Sequence, residues 1–384
     1  MKEAVIIEAV RTPMGRRNGK LSKVRPDDLL AEVLNEVVTR AGVPAEEVED
    51  VIAGCVSQVG EQAPDIARAA ALIAGFPKEV PGVTIDRQCG SSQQAVHFAA
   101  QAVVSGDMDV VIACGVESMS RVPMFSNVQG ASYSQKLTEQ YEIINQGLSA
   151  ERIARKWNLS REALDEFSLS SHQRAVTAQE EGRFSREVMA VDAENEDGDI
   201  ISVTEDEGPR KGTTLEKLAS LNPAFQEGGV ITPGNSSQIS DGAAALLIMS
   251  KDKAESLGLT PRFKITARSV VGSDPTLMLT GPVAATQKVL KKAGLTLEQM
   301  DLYEVNEAFA PVPLYWQKEL NADLTKLNVN GGAIALGHPL GASGARVMTT
   351  LIHELERTEK RYGLQAICEG FGMANATIIE RIES

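Results

Sequence analysis

Histidine and cysteine are scarce in this chain, and positive charge is outnumbered. The four cysteines, Cys55, Cys89, Cys114 and Cys368, form no Cys-x-x-Cys pair and show no metal-like spacing. They read as reduced thiols, which suits a cytoplasmic protein, and no metal site is expected. Lys and Arg total 38 against 52 Asp and Glu, a net charge of −14. That balance argues against general affinity for nucleic acid or anionic membrane, so an anionic ligand would need a local basic site. No apolar run is long enough to span a membrane. The start, "MKEAVIIEAVRTPMG", runs into a strand without a signal or transit pattern.

What is present is an ordinary globular composition, 43% hydrophobic and 23% charged over 384 residues. A chain of this length forms two or three domains, or one large duplicated one, and needs no disulfide or metal to hold its core. Short β-branched runs alternate with alanine-rich amphipathic stretches, the pattern of an α/β protein with strands buried on both faces. "AVIIEAV" reads as a strand, Asp28 to Ala41 as a helix, "VEDVIAGCV" as the next strand and "DIARAAALIAG" as the next helix.

Two regions, 82–117 and 327–373, share an order. Each runs strand, small-residue turn, helix, then a strand containing cysteine ("DVVIACG" and "LQAICEG"). An internal duplication explains this, each half a small sheet covered by helices. Residues 1–118, completed by 244–254, form one half and 255–384 the other. Between them, 119–243 is rich in Ser, Gln and Glu and reads as an inserted loop domain, of a size that is usually functional.

Cys89, in "TIDRQCGSSQQAVHFAAQAV", stands where a strand becomes a helix. Most free cysteines are small core residues. A helix amino terminus, however, favours a thiolate, and a lowering of about two units would make it the main form at neutral pH. His338 stands in the glycine-rich "GGAIALGHPLGASG", while His97, His172 and His353 fall within helical patterns. A Cys–His pair with the histidine oriented by a further group is the usual activated thiol nucleophile. Cys368 reads either as a core thiol or, beside Gly370 and Gly372, as a second reactive one. Asn306 and Glu307, ahead of a helix, read as caps. "GFGMAN" lacks the last glycine of a dinucleotide fingerprint, and "GHPLGASGA" lacks the Lys-Ser/Thr of a phosphate loop.

The segments "QCGSSQQA", "ESMSRVPM", "NSSQISDGAAA", "VNEAFA", "NVNGGAIALGHPLGASGARV" and "CEGFGMANATIIER" fall in an order and spacing that resembles the thiolases over essentially the whole chain. The resemblance implies a duplicated five-layer α/β/α/β/α fold whose loop domain grips coenzyme A. It implies thiolytic cleavage of 3-ketoacyl-CoA, or the reverse Claisen condensation, through an acyl-cysteine. By matching position, Cys89 is the nucleophile, His338 its base, and Cys368 the acid/base at the α-carbon. Asn306 holds a water in one oxyanion hole, and Gly370 with Cys89 supplies backbone N–H groups to the other. Arg210, Phe225 and Ser237 fall on segments that hold coenzyme A, which is substrate and product; no permanently bound cofactor is implied. Arg210 and Lys211 form a local basic spot. A homo-oligomer, dimer or tetramer, follows from the resemblance alone.

Two departures bear on the acyl chain. Asn145 and Gln146 replace the His-Met of short-chain members, with Met278 and Phe309 expected to line the rest. Phe371 interrupts the usual glycine run after Cys368 and is expected to narrow the floor there. These favour substrates longer than acetoacetyl-CoA, against an acetoacetyl-CoA-specific enzyme. A ketoacyl synthase would have a histidine where Asn306 stands. A non-catalytic acyl-CoA-binding homologue would lack Cys89, His338 or Cys368, and all three are present.

Overall fold

The structure is a computed structural model that describes residues 2–382. It opens with β1 (Ala4–Arg11), β2 (Gly15–Arg16) and α1 (Pro26–Ala41). There follow β3 (Asp50–Gly54), α2 (Ile66–Ile73), β4 (Gly82–Ile85), α3 (Ser91–Ser105) and β5 (Val110–Ser118). Residues 119–239 carry α4 (Gln135–Thr138), α5 (Gln146–Lys156), α6 (Arg161–Glu180), the ribbon β6 (Val191–Glu194) and β7 (Ile200–Val203), and α7 (Leu215–Ala219). Then come β8 (Ser240–Ser250), α8 (Lys251–Ser256), β9 (Phe263–Gly272), α9 (Gly281–Ala293) and β10 (Leu302–Val305). The chain closes with α10 (Pro311–Leu320), α11 (Ala333–Leu336), α12 (Ser343–Arg357), β11 (Tyr362–Glu369) and β12 (Met373–Arg381).

Strand order exposes the duplication. The first half runs β4-β3-β5-β8-β1 and the second β10-β11-β12-β9. In each, the strand after the central helix pairs parallel on one side (β5 with β3, β11 with β10) and antiparallel on the other (β8, β12). A parallel bridge between Tyr303 and Leu327 stands where the first half has β4. The expectation of two separate small sheets needs correcting, because β1 and β9 pair at Val5–Lys264 and Ile6–Phe263 and join the halves into one ten-stranded sheet.

Three apolar clusters define the five layers. Alternate residues along buried strands face opposite sides, so each half-sheet feeds two cores. One side of the first half packs on α1 and α2, and one side of the second on α9 and α10. The remaining faces of both meet around α3 and α12, where Ile6, Val111 and Leu246 join Ala99, Met348 and Phe263. The central helices are alanine-rich or small on their packed faces, where the two half-sheets close on them; α3 buries Ser91 to His97 without interruption. The turn of Cys89 and the glycine run of His338 lie ahead of the amino ends of these two helices.

Candidate active site

The strand β4 ends at Ile85, four residues earlier than the sequence pattern suggests. The Asp86 side chain accepts from Gln88 N (2.7 Å), and Gln88 takes φ +49°. A left-handed residue with a side chain costs roughly 1–2 kcal/mol, and here it turns the chain so that Cys89 lines a cavity of about 190 Å³. Ser91 locks the turn, its Oγ donating to Gln88 O (2.6 Å) and accepting from Arg87 N (2.8 Å). The expectation of a lowered thiol pKa is reversed. Burial pushes the Cys89 thiol up to about 12, and the neighbouring Glu369 adds to it. Desolvation outweighs the helix terminus, so Cys89 rests as a neutral thiol.

His338 shares that cavity. It follows Gly337, whose φ of +101° admits no side chain and whose Cβ would stand 2.2 Å from Ser240 Oγ. The ring is held at both nitrogens. Ser343 Oγ donates to Pro339 O (2.8 Å) and lies 2.6 Å from His338 Nδ1. The hydroxyl proton is committed to the carbonyl, so Nδ1 carries the ring proton and donates to Ser343. Nε2 is left as the acceptor, 3.3 Å from Asn306 Nδ2. Burial, with Arg346 second, pulls His338 down to about 3. The pair therefore rests as thiol and neutral imidazole, with Nε2 free to receive a proton.

Asn306 and Glu307 are not caps. Helix α10 starts at Pro311, after Ala310. Asn306 instead follows β10, its N–H on Ala366 O (3.0 Å) and its Oδ1 buried without a protein partner. Glu307 accepts from Ser171 Oγ (2.7 Å), Asn328 Nδ2 (3.0 Å) and Ile334 N (3.1 Å), tying β10 to the segment ahead of His338.

Cys368 lies on β11, fully buried; burial and then Cys89 push its thiol well above the usual range. Gly370 and Phe371 line a second cavity of about 220 Å³ with Asn145, Gln146, Met278 and Tyr133. Gln146 lines both cavities. Phe371 does not fill the floor: at φ +61° its ring swings outward, 41% exposed, and meets Tyr133 edge to face at 5.6 Å. Asn145 has a second duty, capping α5 through Gly147 N (2.8 Å). Phe309 belongs to the Cys89 cavity, as do Phe225 and Ser237, and Phe225 packs against Phe309 at 5.8 Å.

Arg210 stands apart, in a cavity of about 290 Å³ with His172 and Lys217; Gln238 lines this cavity and that of Cys89. Lys211 is paired with Glu180 at 2.8 Å, so the basic spot there consists of Arg210 and Lys217. Sequence reasoning missed Ser343, Gln238 and Glu117. Ser343 carried a signal, a hydroxyl five residues after His338 in the same glycine-rich run. Glu117 accepts from Val56 N, Ser57 N, Gln62 Nε2 and Gly341 N at 2.8–3.0 Å and fixes the loop that follows His338.

Known proteins are similar to this chain along its whole length. The family description "Thiolase, N-terminal domain" matches residues 4–252, and "Thiolase, C-terminal domain" matches 259–381. A steroid 3-ketoacyl-CoA thiolase of Mycobacterium tuberculosis is 48% identical, covering 100% of this chain and 95% of that protein. A 3-ketoacyl-CoA thiolase of Idiomarina loihiensis is 47% identical with 100% of both chains covered. The crystal structure of the acetyl-CoA acetyltransferase of Bacillus anthracis superposes with TM-score 0.92 at 41% identity, over 100% of this chain and 99% of that one.

Proposed function

The chain belongs to the thiolase family and is an acyltransferase, and from that premise we propose that it cleaves 3-ketoacyl-CoA with coenzyme A to acetyl-CoA and a shortened acyl-CoA, and runs the reverse condensation. The observation that carries the reading is a buried neutral thiol and an imidazole whose unprotonated Nε2 faces Asn306 Nδ2, both lining one cavity. Cys89 Sγ attacks the 3-keto carbon as its proton passes to His338 Nε2. The N–H groups of Cys89 and Gly370 hold the tetrahedral intermediates formed at the Cys89-bound acyl carbon. The bond between the α- and 3-carbons then breaks, and its electron pair enters the enolate of acetyl-CoA. A water on Asn306, together with His338, stabilises that enolate. Cys368 protonates its α-carbon. After acetyl-CoA leaves, the Cys368 thiolate takes the proton of incoming coenzyme A, whose sulfur attacks the acyl-cysteine. Cys89 leaves and recovers its proton from His338. Ping-pong kinetics follow.

Coenzyme A is read as substrate and product, with no permanent cofactor. Its phosphates are assigned to Arg210 and its pantetheine arm to the Phe225 and Ser237 wall, within a loop domain at 119–243 set between halves at 1–118 with 244–254 and at 255–384. Homo-oligomer formation, as dimer or tetramer, is supported by the edge strand β4 with its exposed Val83, and by the exposed Leu72 and Ile73 of α2 and Phe98 of α3. Four free cysteines support a cytoplasmic location. Among the described residues no helix is long and apolar enough to cross a membrane.

For the acyl chain we favour substrates longer than acetoacetyl-CoA, because the Phe371 cavity adjoins the catalytic one through Gln146. The small catalytic cavity favours the second reading, an acetoacetyl-CoA enzyme. The test is kcat/KM for thiolysis of C4, C6, C8 and C10 substrates by wild type and Phe371→Gly. A wild-type preference for C4 above tenfold, unrelaxed in the glycine variant, decides for the second reading.

A further inference from the structure

Glu369 follows Cys368 and has no role in the chemistry above. It is fully buried, and neither carboxyl oxygen has a hydrogen-bond partner among the described residues. The carboxyl lies against the turn that carries the nucleophile: a Cβ on Gly90 would come within 1.9 Å of Glu369 Oε1. Glu369 pairs with Met373 across the β11–β12 ladder, so Asn375, two residues on, shares its face of the sheet. Asn375 Nδ2 donates to Gly90 O (3.4 Å), and its Oδ1 is also buried without a partner.

Two carboxyl oxygens and one amide oxygen are thus gathered under a single turn as unpartnered acceptors. An ionised carboxylate can only accept, and it would add a buried charge to three orphaned oxygens. The neutral acid supplies a donor and removes that charge. The titratable groups around it are Asp86, Arg87 and Cys89 from the turn and Cys368 from its own strand; β12 presents only Met373 and Asn375. Arg87 favours ionisation, but its Nη1 contacts Met373 Sδ (3.5 Å). Burial, aided by Asp86, prevails over Arg87 and leaves the carboxyl at about 9.

We propose that Glu369 is a positioning residue for the nucleophile: held as the neutral acid, it keeps negative charge from the Cys89 turn so that the thiol can release its proton, and its ionisation silences both thiols. No bond to substrate and no proton transfer to substrate is assigned to it. The coupling is reciprocal, a Cys89 thiolate tightening the proton on Glu369 as an ionised Glu369 tightens the proton on Cys89. The inference rests on Cys89 being the nucleophile.

The test is the rate of Cys89 alkylation by iodoacetamide in the full-length protein, read from the mass of the Cys89 peptide between pH 7 and pH 10. Glu369→Gln keeps the shape and cannot ionise. The ratio of rates at pH 10 and pH 7 is expected to be about three- to tenfold larger in E369Q than in wild type, the effect of relieving the thiol of half to one pKa unit. Equal ratios overturn the proposal. If E369Q does not fold, Glu369→Met carries the same expectation, and wild type alone must show a bend near pH 9 in its alkylation profile; a straight single-thiol rise refutes it. Alkylation is read without turnover, so this result is separate from that of Cys89→Ala in thiolysis, which tests the proposed function.

Discussion

Each half of the sheet sends a glutamate from the strand after its central helix to the amino end of the other half's helix. Glu117 on β5 reaches Gly341, ahead of α12, and Glu369 on β11 rests against Gly90, ahead of α3. Both are fully buried, and burial pushes both carboxyls upward. Glu117 is met by four donors, whereas Glu369 is met by none among the described residues. The same topological position thus serves in one half as a structural tie on the His338 loop and in the other as an unpaired acid behind Cys89. Duplication supplied two equivalent frames, and their differences fall on the side chains that face the site. The thiols of the two strands diverge likewise. Each lies in the outer core of its half, Cys114 with Sγ 3.6 Å from Ile52 O, but Cys89 raises the Cys368 thiol and not that of Cys114.

The thiols give the sharpest way to break this comparison. Cys89→Ala is predicted to lose at least about 10⁴-fold in thiolysis, the scale of a deleted covalent nucleophile. Cys368→Ser is predicted to lose about 10²–10⁴-fold, the worth of a positioned acid/base, while still accepting an acyl group on Cys89. Cys114→Ala should keep wild-type kcat/KM, and a loss like that of Cys368→Ser would make the two strands functionally equivalent.

The glutamates separate next, in stability. Glu117→Gln turns an amide towards two of its four donors, and at about 1–3 kcal/mol for each orphaned group urea unfolding should register about 2–6 kcal/mol. Glu369→Gln has no hydrogen bond to lose and, at a pH low enough for the wild-type carboxyl to be neutral in the unfolded chain as well, should cost under about 1 kcal/mol. Equal costs would refute the asymmetry. Its pH dependence carries a sign. A carboxyl raised to about 9 in the folded state binds more protons folded than unfolded between about 4.5 and 9, so its contribution to stability falls as pH rises through that window. The stability of E369Q relative to wild type should therefore climb from pH 5 to pH 9.

The histidines pull the opposite way and affect both halves. His97, His338 and His353 are held down to about 3 by burial. The unfolded chain takes up protons first, so stability should drop as pH falls below about 6.5. A flat profile between pH 6.5 and pH 4 would contradict this. The smallest expected effect is at Phe371. Replacing a left-handed phenylalanine by glycine removes about 1 kcal/mol of backbone strain, offset by the glycine's own entropy. Its net stability change should lie within about 1 kcal/mol, leaving substrate preference as the main readout.

Much of this was legible in the sequence because it is local. The strand-to-helix turn at Cys89, the glycine run around His338 and the apolar runs of β1 and β5 all follow from neighbouring residues. The thiol's proton affinity was misjudged because a helix terminus is visible in sequence and total burial is not. The left-handed Gln88 was hidden because no glycine or asparagine marks it. Ser343 was readable as a helix start but not as the partner of a ring five residues earlier. The pairing of β1 with β9, and the crossing of Glu117 and Glu369 between halves, depend on how distant segments stack.

That crossing bears on how the molecule can come apart. The middle layer takes one helix from each half, and its core draws on β1, β5 and β8 together with β9 and α12. A fragment ending near residue 254 would keep the β4-β3-β5-β8-β1 part of the sheet but bare the inner flank of that part. The contacts that unite the halves span most of the chain, and each half is expected to need the other to fold. Such a protein should assemble late and slowly and lose its structure in one concerted transition. The cavity shared by Cys89 and His338 takes its walls from both halves, so it is complete only once they have docked.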